Sequence, residues 1–205
     1  MTPPMLRLRG RILLIASITA ALFAASATPA NAALGIACPN PTFKAFTPWG
    51  DPAAYAFAPN GGFENGATGW TLTGPAHVVA GNESFGVHST GDGYSLSLPA
   101  GSSATSGAMC IGALSTKMRF FARNTGSSTA RLRVKVLYDG GLGQLLGIAD
   151  AGTITAGKWQ PSAAITMLGG LLPLLTRDVR IRFLPADSTG SWTIDDVYVD
   201  PLMHR

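Results

Sequence analysis

No apolar run in this chain is long enough for a comfortable membrane span, no stretch carries helical periodicity, and no repeat of fixed period is visible. The longest apolar segment, Ile12 to Ala25, falls short of the ~20 residues that a helical span requires. A later one, Ala163 to Leu175, is interrupted by Gly169-Gly170 and Pro173 and reads as core or loop. Histidine is sparse, and His77, His88 and His204 show no metal-ligand spacing with one another. Gly140-Gly141-Leu142-Gly143 lacks the lysine and hydroxyl of a phosphate-cradling loop. Val87-His88-Ser89-Thr90-Gly91 lacks the first glycine of a nucleophile elbow. The chain therefore reads as non-catalytic.

Charge is scarce too, with 15 Lys or Arg and 11 Asp or Glu in 205 residues, a formal net of +4. Three of those cations, Arg7, Arg9 and Arg11, stand ahead of the apolar run, and Pro29 with Ala30-Asn31-Ala32 follows it. This is the layout of a secretory signal over residues 1–32. Its removal would leave 173 of the 205 residues, enough for one domain, with twelve cations against eleven acids. So even a balance gives no footing for nucleic acid. Export carries Cys38 and Cys110 into an oxidising compartment, and their even count predicts a disulfide; two buried thiols are the alternative. Oligomeric state and protein partners are not written in these features.

What is present is a succession of short alternating runs separated by Gly, Ser, Asn and Asp. From residue 59 to 205 this pattern predicts an all-β sandwich. Expected strands are Gly62 to Glu64, Trp70 to Thr73, His77 to Ala80, Tyr94 to Leu98, Ala108 to Ile111, Lys117 to Arg123, Arg131 to Tyr138, Leu146 to Thr153, Ala163 to Met167, Val179 to Leu184 and Trp192 to Val199. Residues 33–58 hold Pro39, Pro41, Pro48 and Pro52 among Phe43, Phe46, Trp49, Tyr55 and Phe57. Such proline density prevents a long helix or central strand, while the aromatics predict an ordered arm lying on the sandwich. A helical turn is expected at Asp51 to Tyr55, where Asp51 can cap and Pro52 suits the first position.

The strongest pattern spans Lys117 to Tyr138 and predicts a hairpin. Met118, Phe120, Ala122, Leu132, Val134 and Val136 share the inward parity. Arg119, Phe121, Arg123, Arg131, Arg133 and Lys135 share the outward one, a cationic face with a ring in it. Like charges opposite one another destabilise a strand pair by a few tenths of a kcal/mol, which an anionic ligand or plain solvation would relieve.

Two stretches organise the rest: Asn60-Gly61-Gly62-Phe63-Glu64-Asn65-Gly66, closing at Gly69-Trp70, and Trp192-Thr193-Ile194-Asp195-Asp196-Val197-Tyr198-Val199. In the second, inward parity passes from Trp192 and Ile194 to Val197 and Val199. That slip of one residue implies a bulge at Asp195-Asp196. Together the stretches resemble the first and last strands of jelly-roll carbohydrate-binding modules with a galactose-binding-like fold, a likeness covering Pro59 to Pro201. The resemblance implies a structural calcium ion held by Glu64 and Asp196, with Asp195 the less certain ligand; solvated or arginine-paired acids are the alternative. It also implies sugar binding on exposed aromatics, for which Trp49, Tyr94, Phe121, Tyr138 and Trp159 are candidates, with Trp70 and Trp192 in the core. The function expected is a secreted binding module for an extracellular or cell-wall polysaccharide. A stand-alone surface or adhesion protein contacting other proteins is the alternative.

Overall fold

The computed structural model of the protein describes residues 41–111, 116–138, 145–150, 157–167 and 177–200. The expected signal segment and Cys38 lie outside the described residues, and with them the predicted Cys38 to Cys110 bridge. Among the described residues the strands in chain order are β1 (Thr42–Phe43), β2 (Tyr55–Phe57), β3 (Trp70–Thr73), β4 (His77–Ala80), β5 (Tyr94–Pro99), β6 (Ser103–Ser106), β7 (Met109–Ile111), β8 (Thr116–Asn124), β9 (Leu132–Tyr138), β10 (Leu145–Asp150), β11 (Gln160–Pro161), β12 (Ile165–Met167), β13 (Arg177–Pro185) and β14 (Ser191–Val199).

They form two antiparallel sheets. The first runs β1-β2-β14-β5-β4, with β8 also on β14 and with β11 and β12 on β8; the second runs β10-β9-β13-β6-β3, with β7 also on β13. The links β3 to β4, β5 to β6, β8 to β9 and β13 to β14 each pass from one sheet to the other, the wrapping of a jelly-roll sandwich. Alternation in the strands places one apolar set between the sheets. Trp70, Leu96, Leu98, Phe120, Val134, Ile181, Phe183, Trp192 and Ile194 are buried there, each large side chain contributing roughly 1.5–3 kcal/mol.

The predicted hairpin does not form. β8 pairs with β14, β11 and β12 in the first sheet, whereas β9 pairs with β10 and β13 in the second. Asn124 directs the crossing: its side chain accepts from Gly126 N and donates to Ser127 O, both at 2.9 Å. Alternation fixes which side of a strand meets the core but not which sheet it joins. Arg119, Phe121 and Arg123 consequently face out of one sheet, and Arg133 and Lys135 out of the other.

The arm covers the outer face of the first sheet. β1 pairs with β2, and β2 with β14. The helical turn is a 3-10 turn at Thr47–Trp49, with Pro48 near its start and Gly50 closing it at φ +76°. It precedes the expected position because Asp51 acts differently: its carboxylate accepts from Ala53 N at 3.1 Å and from the Tyr55 hydroxyl at 2.7 Å. Phe46 is fully buried and packs on Phe121, Tyr198 and Tyr55 at centroid separations of 5.4, 5.3 and 5.2 Å.

Candidate functional site

The bulge in β14 is where its neighbours change. β8 follows one edge of β14, while the other edge is taken first by β5, over Ser191–Ile194, and then by β2, over Tyr198–Val199. Between them the register against β8 shifts from Asp195 to Tyr198, and Asp196 adopts φ +46°. The opening left there is filled by the Asn60 loop: Val197 N donates to Gly61 O at 3.1 Å, and Ala58 N to Val197 O at 2.9 Å. A Cβ on Gly61 would sit 2.8 Å from Val197 O, and one on Gly62 3.1 Å from Asp196 Oδ1. Glycine is required at 61 by this close approach to backbone, while at 62 a side chain would press on the Asp196 carboxylate. Gly62 to Glu64 is accordingly a turn rather than the expected strand, with Asn60 and Phe63 at φ 49° and 61°.

Three carboxylates are buried beneath the loop that joins β4 to β5, residues 81–93. Asp195 and Asp196 are fully buried and Glu83 is 3% exposed. Asp195 accepts from Glu83 N through Oδ2 and from Asp196 N through Oδ1, each at 2.8 Å. Glu83 accepts from Phe85 N at 2.5 Å and Val87 N at 2.7 Å. Asp196 Oδ2 accepts from His88 N at 3.1 Å and from the Tyr198 hydroxyl at 3.3 Å; its Oδ1 is buried with no hydrogen-bond partner among the described residues. Burial, followed by the charge of Asp196, pushes the Asp195 carboxyl up to about 9, against the pull of its two amide donors. Burial also raises Asp196, to about 6, with Glu83 adding to the rise and His88 N opposing it.

His88 binds this cluster to the rim. Its ring stacks on Phe57 at 3.9 Å and 7°, and its Nδ1 lies 2.6 Å from Asp92 Oδ2. Among the described residues, ligating atoms of His88, Asp92 and Asp196 all lie within 4.8 Å of one another. Glu64 is not in that group. Its Oε1 accepts from Gly93 N and Tyr94 N, both at 2.9 Å, tying the start of β5 to the Asn60 loop. A calcium ion takes six to eight oxygens. Of the three acids expected to supply them, Asp195 has both oxygens on backbone amides, Glu64 accepts two amides through one oxygen, and Asp196 keeps a buried oxygen without a partner among the described residues.

Above the cluster opens a depression of about 290 Å³, lined by Asn82, Glu83, Ser84, Phe85, Thr90 and Asp92. Phe85 is 46% exposed and is backed by Trp49 at a centroid distance of 5.0 Å. Asn82 Oδ1 is buried and has no hydrogen-bond partner among the described residues.

The sequence candidates separate. Tyr94 is 47% exposed, as a platform requires. Phe121 is fully buried under Phe46, Trp49 and Phe85, because the arm covers it. Trp49 and Trp159 are half-buried packing, the latter under the Arg123 guanidinium at 5.2 Å. The Tyr138 side chain lies outside the described residues. Arg119 is also buried; it pairs with Asp51 at 3.0 Å, donates twice to Ser162 O and lies 4.3 Å over Phe46. The expected cationic ligand face of Arg119, Phe121, Arg123, Arg131, Arg133 and Lys135 is therefore not one surface. Glu83, Phe85 and Asp92 carry no motif in the sequence, and His88 has no metal-ligand spacing to another histidine. The His88–Asp92 spacing of four was the signal available.

No family model and no curated protein matches this chain, but solved structures do. One is Clostridium thermocellum endo-1,4-beta-D-xylanase 10B, its CBM22-1 and GH10 modules complexed with xylohexaose, at 19% identity and TM-score 0.49 over 71% of this chain and 28% of that one. Another is the enzymatically active domain of bacteriophage CBA120 tailspike protein 4, at 15% identity and TM-score 0.48 over 71% and 21%. A third is the C-terminal family 22 carbohydrate binding module of the same xylanase, at 18% identity and TM-score 0.43 over 70% of this chain and 93% of that one. The chain spans about a quarter of the length of the first two.

Proposed function

We propose that this sandwich is a secreted, non-catalytic binding module for an extracellular polysaccharide, with the Phe85 depression as its ligand site. The observation that carries the reading is an exposed ring, Phe85, in a hollow that is lined otherwise by polar residues, Asn82 among them. Sugars present apolar C–H faces that stack on rings and hydroxyls that need acceptors. Ser84, Thr90 and Asp92 add polar groups around the same opening. At about 290 Å³ the hollow is at the lower end of the ~300–1,000 Å³ usual for small-molecule sites, room for a unit or a chain end.

Of the acids beside it, Glu83 and Asp195 have both oxygens on backbone amides. This supports a binding role over hydrolysis. The test is affinity electrophoresis of the protein on xylan, β-1,4-galactan and uronic-acid polymers, beside a glycan array. Retention on at least one polymer is expected, with affinity about tenfold or more weaker in Phe85→Ala, a loss of ~1.4 kcal/mol. Retention on none, or binding indifferent to Phe85→Ala, removes the depression as a site and favours the adhesion reading.

A further inference from the structure

We infer that His88, Asp92 and Asp196 form a binding site for a borderline divalent transition cation, with Zn²⁺ as the probe, and that this site replaces the calcium set expected from Glu64, Asp195 and Asp196. The inference does not depend on sugar binding. Two independent observations carry it. The first is convergence: an imidazole and two carboxylates from positions 88, 92 and 196 bring ligating atoms to within 4.8 Å of one another. The second is the state of Asp196. It is fully buried, yet its Oδ1 has no hydrogen-bond partner, whereas both oxygens of Asp195 and of Glu83 accept backbone amides. A buried carboxylate oxygen without a partner is costly, and a cation bound by the Asp196 carboxylate would offset that cost.

The donor set selects the ion. Hard cations such as calcium prefer all-oxygen surroundings, while imidazole suits zinc, copper, iron and nickel. His88 is held for the role: its ring lies flat on Phe57, and its own backbone N–H is fixed to Asp196 Oδ2. The ring and Asp92 are at the rim, so an ion can enter without opening the core.

Purified, tag-free protein stripped with chelator would be titrated with Zn²⁺, and separately with Ca²⁺, by calorimetry and thermal melting. One Zn²⁺ per chain is expected, with a melting temperature raised by about 5–10 °C at free zinc a hundredfold above Kd. Zinc affinity should fall about tenfold or more in His88→Gln and in Asp92→Asn, and His77→Gln should leave it unchanged. Because Asp196 is inside the bulge, the two rim variants carry the test. Co²⁺ gives a second readout, a visible absorption band that should disappear in His88→Gln. Absence of zinc binding, or zinc binding indifferent to His88→Gln, overturns the site. Calcium binding abolished by Glu64→Gln but untouched by His88→Gln overturns it in favour of the other ligand set.

Discussion

The two outer faces of the sandwich start from the same residue pattern and end in opposite states. On the first sheet Arg119, Phe121 and Arg123 alternate with core residues of β8; on the second Arg133 and Lys135 do the same in β9, and Arg180 and Arg182 in β13. The first face is roofed by the aromatic arm and by residues 81–93, so that Arg119 and Phe121 are buried and the Asp195, Asp196 and Glu83 carboxylates lie in the interior. On the second face Arg180 is exposed and Arg133, Lys135 and Arg182 are half-exposed. Parity decides which side of a strand leaves the core. What covers that side is decided elsewhere in the chain, here by Phe46 and Trp49, more than seventy positions before Phe121.

The largest effect that should separate the two faces is aromatic. Phe121 is fully buried among Phe46, Trp49 and Phe85, and Phe121→Ala should reduce stability by about 3–5 kcal/mol. Lys135→Ala, at a matching outward position, should stay within about 0.5 kcal/mol. Urea denaturation of both variants measures the contrast. Equal losses would mean that the arm does not cover the first sheet in solution.

A smaller effect lies in the ion pair under the arm. Asp51→Asn leaves the buried Arg119 guanidinium without its carboxylate, though still bonded to Ser162 O. A loss of about 2–3 kcal/mol is expected, and Arg119→Met in the same background should recover part of it. A double-mutant cycle with no coupling would place Arg119 in solvent.

The same aspartate sets a pH dependence. Burial works to raise its carboxyl, but hydrogen bonds from Tyr55 and Ala53 and the Arg119 guanidinium outweigh that and hold it below its ordinary 3.8. A folded value below the unfolded one contributes stability that is complete above the unfolded value and is lost as pH falls toward the folded one. Between about pH 5 and pH 3 the wild type should therefore lose more stability than Asp51→Asn. Parallel curves would show that the pair does not persist.

These contrasts also mark what could be read from residues alone. The bulge was legible, because an apolar period of two that slips at Asp195-Asp196 has no other local explanation. The arm was legible from aromatics too numerous for a linker. β6 was not: Ser103–Ser106 has no apolar alternation, and only Ala104 reaches the core. The partners of β8 were hidden because two strands with matching alternation can pair or can face each other across a core. The site was only half visible. Asp196 stood out in its strand, but His88 and Asp92 reach it from positions more than a hundred residues earlier, on a loop that the fold alone brings over the bulge.

The smallest expected effect on stability, and the sharpest test of the comparison, belongs to the open face. Lys135 sits directly opposite Arg182 in the register of β9 and β13, and like charges so placed destabilise the pair by a few tenths of a kcal/mol. Arg182 offsets part of this by donating to Thr105 Oγ1 at 2.8 Å. Arg133→Ser with Lys135→Ser should accordingly fold within about 0.5 kcal/mol of wild type. If the polysaccharide is acidic, this face is where it would find cations, and the two proteins should differ in binding rather than in melting. Retention on uronic-acid polymers should then be weaker in the variant at low salt. The difference should vanish as salt rises, because exposed charges are screened over about 8 Å at physiological ionic strength. Binding through the Phe85 depression would instead survive in the variant at every salt concentration. Retention identical to wild type throughout would make the second face a solubilising surface, and would confine ligand recognition to the covered side of the sandwich.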